Sequence, residues 1–201
     1  MPVSRYREKF DTERVLNVAN IITAARIVLI PFFVQFIIQD RYTVAFYIFV
    51  ICGLTDAFDG FIARVFQVKS KFGMLLDPIA DKALMATSFI ILGIYKKIPL
   101  WLVVITISRD TIILLGSLLI IIFIGMQEIA TVPLGKANTV LQIATIGYIL
   151  FLLSYPDFLS NIGVGDKAAV IKTILFVSTG GTTLLSGIHY FVNGFKKLSR
   201  I

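Results

Sequence analysis

The chain has 201 residues, 57% of them hydrophobic and only 15% charged, with a net charge of +7 and a mean hydropathy of +0.89. This balance excludes an ordinary soluble enzyme and predicts one membrane domain spanning residues 1–201. Nucleic-acid binding is excluded too, because the basic residues flank apolar segments instead of clustering on a soluble face.

Residues 1–14 come first and predict a short interfacial amphipathic helix. Val3, Tyr6 and Phe10 fall on one face, with Arg5, Arg7, Glu8 and Lys9 between them. Their polarity predicts no cleavable signal. Six apolar stretches follow, at roughly 15–39, 43–63, 77–95, 99–126, 137–155 and 168–193. Each reaches about the 20 residues needed to cross hydrocarbon. The expected fold is therefore all-α and integral to the membrane. A six-helix transmembrane bundle over residues 15–195 does all the work, with no soluble domain left over. The lone cysteine, Cys52, lies inside a span and excludes an intramolecular disulfide.

Within the spans, polar residues mark places of interest. The first opens with Asn17, Asn20, Thr23 and Arg26. Arg26 either snorkels to the interface or faces the bundle interior and binds phosphate. The fourth carries Ser108-Arg109-Asp110, with Arg109 ten residues or more from either end of its apolar run, too deep for easy snorkelling. Arg109 is a functional candidate by depth, or a partner in an ion pair with Asp110. The fifth opens with Gly135-Lys136-Ala137-Asn138-Thr139, where Lys136 is an anion ligand or a membrane anchor. The single histidine, His189, reads as a packed interfacial residue.

The strongest signal lies between the second and third spans, in DAFDGFIARVFQVKSKFGMLLDPIAD. Its pattern is D-x2-D-G-x2-A-R-x8-G-x3-D-x3-D, with aspartates at Asp56, Asp59, Asp77 and Asp81. A carboxylate in the membrane costs roughly 2.5–3.5 kcal/mol on insertion scales. Four on adjoining segments need neutralising, and all-oxygen ligands suit a hard divalent ion such as magnesium. On a helix Asp56, Asp59, Gly60, Ala63 and Arg64 share one face, and so do Gly73, Asp77 and Asp81. Gly60, Ala63 and Gly73 leave room for a close helix or a bulky ligand.

Charge sets the orientation. Eleven basic residues fall in the N-terminus, the 64–76 and 127–136 loops and the C-terminus, against four in the opposite loops. The positive-inside rule then places both termini and the aspartate motif in the cytoplasm.

The aspartate pattern resembles the signature of the CDP-alcohol phosphotransferase family at every defined position. NVANIITAARIVLIPFF, ISRD at 107–110 and GKANT at 135–139 are similar to segments of its phosphatidylglycerophosphate synthase and cardiolipin synthase branches. The resemblance implies an enzyme that moves a phosphatidyl group from CDP-diacylglycerol to an alcohol and releases CMP. It implies a homodimer of six-helix subunits in a bacterial inner membrane, with a cavity open to the cytoplasm. It implies two Mg2+ or Mn2+ ions on Asp56, Asp59, Asp77 and Asp81, with Asp81 as general base. Asp56, Gly60, Arg64 and Gly73 match the positions that hold the nucleotide. Arg26, Arg109 and Lys136 are the cations expected to bind the acceptor. Glycerol 3-phosphate is the expected acceptor and phosphatidylglycerol, giving cardiolipin, the alternative. That alternative is suggested by the missing second arginine in the fourth span and by Asn138, where glycerol-3-phosphate enzymes commonly carry lysine. A cation transporter is the distant alternative from another class, since intramembrane aspartates can form ion sites; the end-of-span motif and the absence of a visible repeat argue against it.

Overall fold

The computed structural model describes residues 25–66, 73–124, 133–156 and 165–198, except for the side chains of 56–66, 73–81, 117–124, 165–166 and 191–198. The expected interfacial helix at 1–14 and the opening of the first span lie outside the described residues.

The described residues are helical almost throughout. They form α1 (Ala25–Ile38), α2 (Tyr42–Phe66), α3 (Gly73–Ile94), α4 (Leu100–Ile124), α5 (Pro133–Ser154) and α6 (Gly165–Leu198). Each answers to one predicted apolar run, with ends that differ by a few residues apart from the start of the first run, which lies outside the described residues. An apolar run need not match a helix end to end, because backbone hydrogen bonding continues through polar residues. Thus α5 starts at Pro133, ahead of the apolar run, because proline suits the first helical position. Among the described residues, two stretches, Pro133–Ser154 and Lys167–Tyr190, are long and apolar enough to cross a membrane by length and composition.

Two tight caps end α1 and α3. The amide of Arg41 donates to Phe36 O at 2.8 Å and that of Asp40 to Ile37 O at 3.1 Å. Lys97 donates to Leu92 O at 2.8 Å and Lys96 to Gly93 O at 3.0 Å. Both are Schellman motifs, whose C′ residue must be left-handed. Asp40 (φ 56°) and Lys96 (φ 57°) occupy those positions without being glycine.

The chain divides into two compact units, one up to Thr87 and one from Ser88. In the first, Phe33 and Ile37 of α1 and Ala45, Phe49 and Cys52 of α2 are buried. Their spacings of four and seven or three put each set on one helical stripe. The rings of Phe33 and Phe49 lie 6.4 Å apart.

In the second unit, α6 packs against both α4 and α5. Beside a buried apolar core that includes Leu102, Ile146 and Leu150, the unit buries many polar side chains and exposes many apolar ones. Thr106, Arg109, Asn138, Gln142, Thr145, Thr179, Thr183 and Ser186 are buried, while Val104, Ile112, Val140, Ile174, Val177 and Leu185 are exposed. Water would not tolerate so much contiguous apolar surface; lipid tails do. Helices in hydrocarbon gain nothing by hiding leucine from lipid, so small and hydrogen-bonding residues hold the interfaces instead. Glycines do the same by proximity. A Cβ on Gly180 would lie 2.6 Å from Trp101, and one on Gly93 would lie 2.7 Å from Val103.

Candidate active site

The aspartates sit on helical backbone. Asp56 and Asp59 fall in the second half of α2, and Asp77 and Asp81 in the first half of α3. The helical spacing assumed from sequence therefore holds: one turn separates each pair along its helix. Gly60 and Arg64 continue α2, and Gly73 is the first residue of α3. The side chains at these positions lie outside the described residues. Arg26, on α1 in the same unit, is 3% exposed, a depth that favours an interior place over snorkelling.

The second unit is organised around Arg109, the tenth residue of α4 and 9% exposed. Nη1 donates to Asp110 Oδ1 at 2.6 Å, and Nη2 donates to Ser186 Oγ of α6 at 2.6 Å. The guanidinium carbon lies 5.9 Å from the centre of the Tyr190 ring, within cation–π range. The aliphatic stem runs beside Gly187, where a Cβ would meet Cγ at 3.5 Å. Nε, by contrast, is buried without a hydrogen-bond partner among the described residues.

Pairing with Asp110 makes the charge tolerable in an apolar span. The open Nε–H is costly, since an unsatisfied buried donor loses about 1–3 kcal/mol. The ion pair expected from the sequence is thus present, yet it does not use up the arginine. The first turn of α5 lies beside it. A Cβ at Gly135 would be 3.6 Å from Arg109 Nη2 and 3.6 Å from Tyr190 Oη. Lys136 follows and is exposed. Its helix start adds backbone N–H groups that carry partial positive charge. Arg109 and the turn that carries Lys136 are therefore brought together. His189 is exposed, in keeping with an interfacial residue.

Sequence reasoning missed the polar seam that fixes α5 to α6. Asn138 is fully buried. Its Oδ1 accepts from Thr183 at 2.7 Å and Thr182 at 3.1 Å. Each hydroxyl also lies within hydrogen-bond distance of its own i−4 carbonyl, at 2.6 Å and 2.8 Å. One hydroxyl proton cannot serve both. Turning the Asn138 amide over would let Nδ2 donate to both threonines while each keeps its backbone bond. A second rung joins Thr145 to Thr179 at 2.7 Å. The signal was available as N-x3-Q-x2-T on α5 and T-x2-T-T-x2-S on α6, both one-face spacings. The seam also explains why residue 138 is uncharged: it packs between helices.

Comparison with known proteins agrees with this picture. The chain is 32% identical to a probable cardiolipin synthase (CMP-forming) of Drosophila melanogaster over 94% of its own length, but spans only 62% of that protein. It is 30% identical to the CDP-diacylglycerol–glycerol-3-phosphate 3-phosphatidyltransferase of Bacillus subtilis (strain 168), covering 90% of this chain and 97% of the relative. It is 34% identical to a putative cardiolipin synthase of Mycobacterium bovis, covering 90% and 80%. Residues 16–185 match the family model described as CDP-alcohol phosphatidyltransferase. With most of its length inside that match, the chain belongs to the CDP-alcohol phosphatidyltransferase family, a membrane-bound family that generally uses a divalent metal, and is itself a phosphatidyltransferase.

Proposed function

We propose that the chain transfers the phosphatidyl group of CDP-diacylglycerol to glycerol 3-phosphate, giving phosphatidylglycerophosphate and CMP. The acceptor hydroxyl oxygen bonds to the phosphatidyl phosphorus. The bond from that phosphorus to the bridging oxygen breaks, and CMP leaves with the electron pair. Asp81 takes the hydroxyl proton. Asp56, Asp59 and Asp77, with Asp81 beside them, form an all-carboxylate donor set that suits two magnesium or manganese ions. Bound metal supplies charge neutralisation of the pyrophosphate and of departing CMP. Gly60, Arg64 and Gly73, together with Asp56, hold the cytidine nucleotide.

The observation that carries the acceptor assignment is buried Arg109, whose Nε–H has no hydrogen-bond partner among the described residues and whose Nη2 lies beside the first turn of α5. A phosphomonoester carries nearly two charges and gains more from Arg109 and Lys136 than a phosphodiester does. Arg26 takes the same role from its place in the sequence. Cardiolipin synthesis is the second reading, favoured by the missing second arginine of the fourth span and by the names of two of the relatives above. The case from Asn138 weakens, because packing accounts for its neutrality.

The membrane arrangement is part of the proposal. Six crossings, a homodimer, and an active site with both termini at the cytoplasmic face of a bacterial inner membrane suit a donor with two acyl chains and a water-soluble acceptor. The apolar exterior of α4, α5 and α6 supports the bilayer setting. Purified protein should be given CDP-diacylglycerol, magnesium, and both acceptors in competition, and its lipid product weighed by mass spectrometry. Phosphatidylglycerophosphate as the main product supports the first reading. Cardiolipin with no phosphatidylglycerophosphate selects the second.

A further inference from the structure

We infer that Ser186 is a positioning residue for the acceptor: it aims Arg109, and so sets how tightly the enzyme holds the acceptor's phosphate. This rests on the proposed role of Arg109. Two of the three nitrogens of that guanidinium are already engaged, and an aromatic ring lies against it. Asp110 takes Nη1, Ser186 takes Nη2 at 2.6 Å, and Cζ lies over the Tyr190 ring, 5.9 Å from its centre. Asp110 neighbours Arg109 on the same helix and moves with it. Tyr190 supplies a cation–π contact, which fixes no hydrogen-bond direction and leaves the fork free to turn. Ser186 is the hydrogen-bonding contact that ties the fork to a different helix, 77 residues on in the chain. With Nη1 and Nη2 both engaged, the in-plane rotation stops and the Nε edge points one way. That edge carries the donor with no partner among the described residues.

Ser186 is 1% exposed and its hydroxyl accepts from Arg109 Nη2, so it acts through Arg109. A serine suits the place. Its hydroxyl accepts from Nη2 without bringing a second carboxylate that would cancel the cation. Its small side chain keeps α6 close to α4, beside Gly187. One turn earlier, Thr183 makes a bond of similar quality to Asn138 on α5. It offers a built-in comparison: a buried hydroxyl on the same helix, tied to the seam and not to Arg109.

The test compares Ser186→Ala, Ser186→Thr, Thr183→Ala, Arg109→Gln and the double variant Arg109→Gln/Ser186→Ala in purified, reconstituted protein. Apparent KM is measured for glycerol 3-phosphate and for CDP-diacylglycerol, with thermal stability alongside. Ser186→Ala should raise KM for glycerol 3-phosphate roughly tenfold, the lower end of what a hydrogen bond to a charged group is worth, and leave the donor KM within about twofold. Ser186→Thr, which keeps the hydroxyl, should restore most of the loss. Thr183→Ala should lower stability with the ratio of the two KM values unchanged. In the Arg109→Gln background, Ser186→Ala should add nothing further. If Arg109→Gln raises acceptor KM but Ser186→Ala does not, the inference is wrong and the function stands. If Arg109→Gln leaves acceptor KM unchanged, the acceptor reading fails and the role of Ser186 with it. If Ser186→Ala raises acceptor KM equally with and without Arg109, it acts by another route, and the inference is again wrong.

Discussion

Replacing Gly93 with alanine should loosen the junction of α3 and α4. The new Cβ would sit 2.7 Å from Cγ2 of Val103 and 3.6 Å from its Cβ. Carbon atoms pack at about 3.5–4.0 Å, so one of the two must move by roughly 1 Å. Val103 cannot turn aside, because a β-branched residue in a helix keeps one strongly preferred χ1 rotamer. Nor can it slide outward easily, being only 9% exposed. Overpacking of this kind costs about 1–3 kcal/mol. Alanine regains up to about 1 kcal/mol of helix propensity, less here because Gly93 is the last residue but one of α3. The net expectation is a loss of about 1–2 kcal/mol, or roughly 2–8 °C in Tm for a chain of this size. Circular dichroism of the purified protein during heating in detergent reads the shift. The Val103→Ala background supplies the control, because it removes the methyl that clashes. There Gly93→Ala should be neutral or stabilising, so the two changes should be strongly non-additive. An unchanged Tm in the single variant, or an equal drop in both backgrounds, would refute the close approach of these two residues.

Three further outcomes are expected. Lys96→Gly should raise Tm slightly, by the equivalent of about 1 kcal/mol, since it relieves a left-handed non-glycine cap; a fall in Tm would show that the lysine stem contributes more than the backbone strain takes away. Asp81→Asn should bind CDP-diacylglycerol with near-normal affinity while single-turnover CMP release fails; collapse of donor affinity with intact chemistry would make Asp81 a structural metal ligand instead of the base. Lys136→Gln should raise apparent KM for glycerol 3-phosphate several-fold more than that for the donor, and an equal rise in both would remove Lys136 from the acceptor site.

Most of the architecture was legible because hydrocarbon imposes simple rules. Six apolar runs of sufficient length marked α1 to α6, and the helix caps were punctuated by Gly, Pro and charge. The ends were less legible. The start of α5 at Pro133 and of α6 at Gly165 lie beyond the apolar runs, because backbone hydrogen bonding continues through polar residues. In the site, the aspartate motif has the helical backbone its local spacing required, one turn between the members of each pair. Arg109 stood out by depth alone. Its link to Ser186 could not be read, because spacing within a helix says which residues share a face and not which face another helix will meet. The same holds for Asn138, whose partners Thr182 and Thr183 lie on a helix that ordinary apolar patterning describes only as a span.

The central claim is that the aspartate motif drives phosphatidyl transfer to glycerol 3-phosphate. Labelled glycerol 3-phosphate should be supplied to proteoliposomes holding CDP-diacylglycerol, and CMP measured against label recovered in the lipid fraction. Wild-type protein should give one CMP per labelled lipid, abolished by chelation and restored by magnesium. Asp56→Asn, Asp59→Asn and Asp77→Asn should each insert and purify normally but give neither product. Turnover near wild type in any of the three at ordinary magnesium, or CMP release with no label entering lipid, would contradict the account.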